Sequence, residues 1–166
     1  MIELILWDLD ETLLPTSALR YARHGSLSCD LGSLAAFADI ALHGGIGDAM
    51  AQMSGIASGL VTSSPRWYVD QLLHAFLPHV TFDVVITYDD VRRIKPDPEP
   101  LGLALTRLGT RPERAVYIGD DLVDLQASRA AGVPFLGAGW AALTTYPLGT
   151  RALSHPSELF DFLEAM

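Results

Sequence analysis

Short apolar runs recur along the chain and are separated by longer stretches with a different hydrophobic spacing. The first run, residues 2–7, is nearly continuous and stops at Asp8. Such runs are typical of strands that are buried on both faces of a parallel sheet. Further runs follow at 59–62, 82–87, 115–119 and 134–137. The pattern therefore predicts a sheet of about five strands.

The stretches between these runs carry apolar residues at helical spacing. Two helical pieces are predicted within 33–54, with a break at Gly44 and Gly45. Further helices are predicted after Pro65 and over 101–108, 122–131 and 157–166. Strands that alternate with helices predict an α/β fold, a doubly wound, three-layer, Rossmann-like parallel sheet.

Length and composition fit one folded domain. The chain has 166 residues, of which 49% are hydrophobic and 19% are charged. These values describe a globular protein with a sizeable core and argue against disorder. We therefore expect a single domain over 1–166. Residues 14–32 are rich in proline, glycine and serine, which predicts a loop with a short helix and a possible flap after the first strand.

Charge and cysteine content narrow the expected partners and compartment. The net charge of −9 argues against general nucleic-acid binding and suits a protein that holds a divalent cation. The first apolar run is short and is cut by Asp8, so it predicts neither a signal peptide nor a membrane span. Cys29 is the sole cysteine and cannot form an internal disulfide. We expect a cytoplasmic monomer or homodimer with no nucleic-acid or membrane partner.

Polar side chains gather where the predicted strands end. Asp8 and Asp10 follow the first strand at a spacing that points both side chains the same way in an extended chain. The second strand ends in hydroxyls, the fourth ends in acids, and a proline-rich loop with a lysine lies between them: Thr62, Ser63, Lys95, Asp120, Asp121 and Asp124. Because the carboxyl ends of parallel strands share one edge, these groups are predicted to meet in one crevice.

Each of these features also has a plain structural interpretation. An acidic turn after the first strand, a helix N-cap among the hydroxyls of 62–64 and a solvated loop lysine at Lys95 are all common. Their convergence points to chemistry, because several carboxylates at one site repel one another and need a cation. Oxygen ligands without histidine or cysteine favour Mg²⁺ over Zn²⁺. With Lys95 and Thr62 beside it, such a site suits a phosphoryl group, and a carboxylate there can act as nucleophile.

Four segments, in this order, resemble the motifs of the haloacid dehalogenase-like (HAD) hydrolase superfamily. They are Asp8–Thr12, Thr62–Ser64, Lys95–Pro100, and Gly119–Asp121 with Asp124. The resemblance covers almost the whole chain outside 13–32. It implies a phosphatase in which 14–32 form a reduced cap or flap.

The resemblance implies catalytic roles for the first motif. Asp8 would be the nucleophile and a Mg²⁺ ligand. Asp10 would be the general acid and base, and would ligate Mg²⁺ through its backbone carbonyl. An acid at this second position is found in the family's phosphatases and phosphomutases and is missing from its dehalogenases. Glu11 stands where the family usually has glycine or asparagine, and glutamate is less tolerant of a positive φ.

The other three motifs would bind the phosphoryl group and the metal. Thr62 and Lys95, with Ser63 beside them, would hold the phosphoryl oxygens, and Lys95 would also steady the nucleophile. Asp120 would be a further Mg²⁺ ligand. Asp124 would support the metal site or Lys95 without being a metal ligand itself. Asp121, next to Asp120 in the same motif, would also belong to this supporting set.

The short spacing between the first two motifs limits the cap. About fifty residues separate Asp10 from Thr62, and part of them must form helices that pack on the sheet. A full helical cap would not fit comfortably. The site is therefore expected to be open, covered by a small flap, or closed by a partner subunit. This weakens a phosphomutase assignment, because mutases must keep water away from the aspartyl-phosphate.

The sequence thus predicts a Mg²⁺-dependent phosphatase that hydrolyses the monoester of a small phosphorylated metabolite through an aspartyl-phosphate on Asp8. One alternative is a catalytically idle HAD-like binding or regulatory module. A signalling receiver is disfavoured, because its phosphorylated aspartate follows the third strand, where this chain has Thr87 and Tyr88. The substrate stays open, and the candidates for its contacts are Arg20, Arg23, His24, Arg66 and Trp67.

Overall fold

A parallel sheet runs through the described part of the chain. The computed structural model describes residues 1–20, 23, 40–53, 55–141 and 145–165. Its strands are Leu4–Trp7 (β1), Ala57–Val61 (β2), Val84–Ile86 (β3), Ala115–Gly119 (β4), Phe135–Ala138 (β5) and Ala152–Leu153 (β6). Neighbouring strands are all parallel, and their spatial order is β3-β2-β1-β4-β5-β6.

The strand order decides where ligands bind. β1 lies between β2 and β4, and the order of the strands reverses beside it. Ligands of open parallel sheets bind at the carboxyl ends of the strands near such a reversal. Flavodoxin-like proteins, including signalling receivers, have the order 2-1-3-4-5 instead. The receiver alternative therefore does not fit this sheet.

β6 is the described strand that the sequence did not predict. Its two residues pair with Gly137 and Ala138 of β5 and lengthen the sheet at that edge. A two-residue strand carries no apolar run, so the hydrophobic pattern does not show it. The described sheet therefore has six strands against the predicted five.

Helices cover both faces of the sheet. They are Ile46–Gln52 (α1), Arg66–Phe76 (α2), Glu99–Leu108 (α3), Leu122–Ala131 (α4) and Glu158–Glu164 (α5). Ile5 and Trp7 of β1 pack with α1, α2 and α5, whereas Leu4 and Leu6 pack with α3 and α4. Both faces of β1 are thus buried, which explains its continuous apolar run. The predicted three-layer, Rossmann-like α/β fold is confirmed.

Some predictions fall outside the described residues. These are Cys29, His24, the first helical piece of 33–54 and most of the predicted flap over 14–32. None of the helices in the described part of the chain has both the length and the apolar content that a membrane span requires.

Candidate active site

A cleft of about 490 Å³ opens at the carboxyl edge of the sheet, where β1, β2 and β4 end. The eight side chains that the sequence predicted for the site all line it: Asp8, Asp10, Thr62, Ser63, Lys95, Asp120, Asp121 and Asp124. Among the described lining residues, six acidic side chains stand against three basic ones. The resulting net negative charge of the cleft favours the binding of a cation.

Lys95 is the centre of a buried ionic network. Its Nζ donates to Asp8 Oδ1 at 2.6 Å, to Asp124 Oδ1 at 2.6 Å and to Tyr117 OH at 2.8 Å. Only 4% of its side chain is exposed, so the solvated-loop interpretation is wrong. Burial lowers the pKa of Lys95, but the carboxylates of Asp124 and Asp8 outweigh burial and raise it overall. The ammonium therefore keeps its charge.

The proline-rich loop before α3 holds Lys95 in place. Pro98 occupies the N-cap position of α3 and Pro100 lies in its first turn. Asp97 Oδ1 accepts the Glu99 amide at 2.9 Å, and the Glu99 carboxylate accepts the Arg92 amide at 2.9 Å. These hydrogen bonds tie the loop to the helix and fix the backbone from which the lysine extends.

Tyr117 is a member of this network that the sequence analysis missed. Its side chain is fully buried in β4, and its hydroxyl lies 2.9 Å from Asp124 Oδ1 and 3.2 Å from the Val61 carbonyl oxygen. The hydroxyl accepts from Lys95 and donates to Asp124. The residue was interpreted as part of an apolar run. The signal that could have found it is general, since the hydroxyl of a buried tyrosine usually has a hydrogen-bond partner.

Asp8, Asp120 and Asp124 form a buried acid cluster in which one carboxylate oxygen from each residue lies within 4.8 Å of the other two. Burial raises the pKa of Asp8 well above its usual range; Lys95 opposes this, while the neighbouring carboxylates add to it. Burial and Asp124 raise the pKa of Asp120 to about 7. A divalent cation relieves the crowding of such carboxylates, and an all-oxygen set fits a hard ion.

Neighbouring groups hold two of these acids in position. Thr12 Oγ1 donates to Asp120 Oδ1 at 2.8 Å, and Trp140 Nε1 donates to the Thr12 carbonyl at 2.9 Å. Gly119 lets Asp124 approach the end of β4, because a Cβ at this glycine would lie 2.6 Å from the Asp124 side chain. The glycine before Asp120 is thus required by close packing.

Asp10 lies in a different environment, made mainly of hydroxyls. Its Oδ1 accepts from Thr16 Oγ1 at 2.7 Å and from Tyr68 OH at 2.9 Å, and its Oδ2 accepts from Ser64 Oγ at 2.5 Å. Arg23 NH1 lies 3.2 Å from Oδ2. The sequence did not assign Thr16, Ser64 or Tyr68 to the site, because this contact set depends on how α2 packs beside β1.

Thr62 follows β2 and is buried beside the cleft. Its Oγ1 accepts the Ser64 amide at 3.1 Å, which shapes the turn before α2. The N-cap residue of α2 is Pro65, so none of the hydroxyls of 62–64 caps the helix and the plain structural interpretation is wrong. Ser63 is half-buried and lines the same cleft.

The candidates for substrate contacts separate into two groups. Arg20 and Arg23 line the cleft. Arg66 is turned away, since its guanidinium contacts Asp90 Oδ2 at 2.6 Å, and Trp67 packs against the core. Neither Arg66 nor Trp67 is among the described residues that line the cleft. These two candidates therefore contact other residues of the fold and do not line the cleft.

Glu11 adopts a backbone conformation that favours glycine. Its φ is 64°, and its amide donates to the Leu14 carbonyl at 2.7 Å in the turn after Asp10. The concern that the sequence raised about a positive φ at this position is therefore real. Its Oε1 is buried and has no hydrogen-bond partner among the described residues.

Residues 36–138 match the sequence profile of the haloacid dehalogenase-like hydrolases. The chain belongs to this family. Phosphoglycolate phosphatase from Salmonella typhimurium is 42% identical over 109 residues, which cover 65% of this chain and 42% of that enzyme. The Escherichia coli K12 enzyme of the same name is 43% identical over 86 residues, or 52% of this chain and 34% of that one. The match thus spans less than half the length of these curated relatives.

Solved structures resemble this fold over nearly the whole chain. CbbY from Rhodobacter sphaeroides, crystallised with phosphate and, as a mutant, with xylulose-(1,5)bisphosphate, is 27% identical, with a TM-score of 0.79. The likeness covers 96% of both chains. It agrees with membership in the HAD-like hydrolases.

Proposed function

We propose that this HAD-like protein is a Mg²⁺-dependent phosphatase. It hydrolyses the monoester of a small phosphorylated metabolite through an aspartyl-phosphate on Asp8. The observation that carries the proposal is the meeting of Asp8, Lys95, Thr62 and Asp120 in one cleft at the carboxyl edge of the sheet. A nucleophile, a fixed positive charge, a hydroxyl donor and a metal-binding acid are the parts that phosphoryl transfer requires.

The acid cluster supports a Mg²⁺ site. Asp8 and Asp120 would hold the ion with their carboxylates, and Asp10 would add its backbone carbonyl. Both carboxylate oxygens of Asp124 already accept hydrogen bonds, Oδ1 from Lys95 and Oδ2 from the Asp121 amide at 3.0 Å. This favours a supporting role for Asp124. When bound, Mg²⁺ supplies positive charge to the phosphoryl oxygens.

Two steps complete the proposed reaction. In the first, the Asp8 carboxylate attacks phosphorus, the bond from phosphorus to the ester oxygen breaks, and Asp10 gives a proton to that oxygen. Lys95 and Thr62 stabilise the phosphoryl oxygens by charge and hydrogen bonding. In the second, Asp10 takes a proton from water as the water oxygen attacks phosphorus. The bond from Asp8 to phosphorus then breaks and inorganic phosphate leaves.

The relatives support the substrate class. Their names state that the curated enzymes act on phosphoglycolate, and CbbY was crystallised with a sugar bisphosphate. These are small phosphorylated metabolites. The cleft, at about 490 Å³, is within the size range of small-molecule sites.

The test is release of phosphate from an aryl phosphate with and without Mg²⁺, with Asp8→Asn as the variant. We expect Mg²⁺-dependent turnover and a loss of about a thousandfold or more in Asp8→Asn, because the nucleophile is removed. Equal activity of the variant would exclude Asp8 as nucleophile. If Mg²⁺ binds but no ester in a broad panel is hydrolysed, the chain is the idle module instead.

A further inference from the structure

Two apolar side chains lie in the wall of the cleft. Of the described residues that line it, Ile94 and Val123 are apolar and the others are polar or charged. Ile94 is 38% exposed and Val123 is 36% exposed, whereas Asp8 and Lys95 of the same cleft are at most 7% exposed. These two side chains, here called the apolar lip, therefore lie toward the open side of the cleft and offer hydrocarbon surface to a bound molecule.

The segments that carry the apolar lip are held by the network around Lys95. Ile94 directly precedes Lys95, and its carbonyl accepts the Asp97 amide at 3.0 Å. Val123 directly precedes Asp124 in the first turn of α4, whose N-terminus is capped by side-chain hydrogen bonds. Lys95 Nζ lies 2.6 Å from Asp124 Oδ1, so the two segments meet at this ion pair. The lip is thus fixed in position before a ligand binds.

The geometry of phosphoryl transfer directs the ester group toward the open side of the cleft. The leaving oxygen lies roughly opposite the attacking oxygen in such a reaction. Asp8, the proposed nucleophile, is only 6% exposed, so the leaving group points away from the cleft floor. The phosphoryl group needs on the order of 100 Å³, at about 30 Å³ for each water-sized oxygen. Most of the 490 Å³ cleft is therefore left for the leaving group and the metal.

We propose that Ile94 and Val123 bind an apolar part of the leaving group. The inference rests on the proposed phosphatase function and adds the substrate class. An exposed apolar side chain gains free energy when a ligand removes it from water, and a polar leaving group does not supply that gain. The preferred substrates are monoesters in which an alkyl or aryl portion follows the ester oxygen.

Hexyl phosphate and the monophosphate of diethylene glycol test this preference. Both carry one phosphate on a chain of the same length, but the second chain contains an ether and a hydroxyl. We expect kcat/KM to favour hexyl phosphate by about tenfold, which corresponds to burial of about two methylene groups.

The double variant Ile94→Thr with Val123→Thr makes the lip polar and keeps both side chains branched. It is expected to reduce the preference to about twofold or less, because the hydroxyls replace hydrocarbon contacts. The matched control is Leu148→Thr, since Leu148 is fully exposed and is not among the described residues that line the cleft. This control is expected to keep the wild-type preference. A preference that persists in the double variant would overturn the inference.

A second copy of the chain is the other occupant that an apolar lip could have. Sedimentation velocity at the assay concentration shows whether the wild type associates. If the wild type is a dimer that the double variant dissociates, and the ratio between the two esters does not change, the lip is an interface and the inference is wrong. If the ratio falls and the state of association stays the same, the lip contacts the substrate.

Binding separates this inference from the proposed function. In the Asp8→Asn variant with Mg²⁺, calorimetry measures affinity for the two esters without turnover. If the wild type hydrolyses neither ester nor any aryl phosphate, the phosphatase proposal fails. Tighter binding of hexyl phosphate with a negative heat-capacity change, lost when both threonines are added, would still establish the apolar site. Equal affinity for the two esters would reject it.

Discussion

The two halves of the cleft stabilise their acids in different ways. The inner half consists of five buried residues, each at most 7% exposed: Asp8, Lys95, Tyr117, Asp120 and Asp124. It is held together by ion pairs between residues distant in sequence. The outer half consists of Asp10, Thr16, Arg23, Ser64 and Tyr68. It is held together by hydroxyls and by one partly exposed arginine.

The two kinds of contact suit the two halves of the cleft to different chemical tasks. Buried charges are costly unless each is paired, so the inner half has little freedom to rearrange and suits a fixed nucleophile and metal site. Neutral hydroxyls tolerate changes in the charge and contacts of Asp10, which suits a group that must both give and take a proton. Variants in the inner half should therefore cost stability as well as activity, and variants in the outer half mainly activity.

Lys95→Met gives the largest effect that this comparison predicts. Methionine fills the space but leaves Asp8 and Asp124 without their cation, and breaking a buried ion pair costs about 3–5 kcal/mol. We expect a loss of unfolding free energy of that size in urea denaturation without Mg²⁺, together with loss of activity.

Arg114→Met is the matched control for this variant. Arg114 forms an ion pair with Glu3 in which both side chains are about half exposed. Surface pairs of this kind contribute less than about 1 kcal/mol. If the two variants lost similar stability, the inner half would not differ energetically from the protein surface. Adding Asp124→Asn to Lys95→Met should recover part of the loss, because it removes one unpaired charge.

The second prediction concerns pH and Mg²⁺. The pKa of Asp120 is raised from 3.8 to about 7, so the folded protein keeps a proton that the unfolded chain has already released. Without metal, stability should fall as the pH rises from about 4 to about 7, by up to about 4 kcal/mol. Mg²⁺ must displace this proton, so it should raise Tm more at pH 8 than at pH 5.5.

Calorimetry in buffers of different ionisation enthalpy measures the proton release directly. We expect release on Mg²⁺ binding near pH 6 and little release at pH 8. Asp120→Asn should flatten the pH dependence of the Mg²⁺ effect. A Tm increase that is the same at both pH values would show that Mg²⁺ binding does not displace a proton from Asp120.

Tyr117→Phe tests the neutral member of the inner half. The change removes one hydrogen bond to Lys95 and one to Asp124. Hydrogen bonds to charged groups contribute about 1.5–3 kcal/mol, so we expect a stability loss in that range and a fall in kcat with little change in KM. Tyr146→Phe is the matched control, because its hydroxyl donates to the Gly119 carbonyl at 2.9 Å and does not contact Lys95. If kcat fell equally in Tyr117→Phe and Tyr146→Phe, the contacts of Tyr117 with Lys95 and Asp124 would have no particular role in catalysis.

The sequence was most informative about the ends of strands. Asp8 and Asp120 lie at the ends of β1 and β4, two neighbouring parallel strands, so their meeting follows from topology alone. Lys95 was expected at the same edge because its loop lies between these strands in the sequence, but a loop residue has no periodic signal that predicts its burial. Its burial, and its contact with Tyr117, depend on tertiary packing that a one-dimensional pattern does not contain.

The outer half was harder to predict for the same reason. Tyr68 occupies the buried face of α2 and was indistinguishable there from a core residue. Arg66 and Trp67 were candidates for substrate contacts. The rotation of α2 about its axis directs them to Asp90 and to the core instead. Sequence spacing places a helix beside a site, but the helix's rotation decides which side chains reach it.

Glu11→Gly gives the smallest effect and tests the turn that joins the two halves. Glu11 has a φ of 64°, where a side chain costs about 1 kcal/mol and glycine costs none. Glycine also gives the unfolded chain more conformational freedom, and this offsets part of the gain in stability. We expect a net stabilisation below about 1 kcal/mol in urea denaturation. Glu11→Ala separates the causes, since it removes the carboxylate and keeps the Cβ. If alanine stabilised as much as glycine, the buried carboxylate and not the backbone would be the source of the strain.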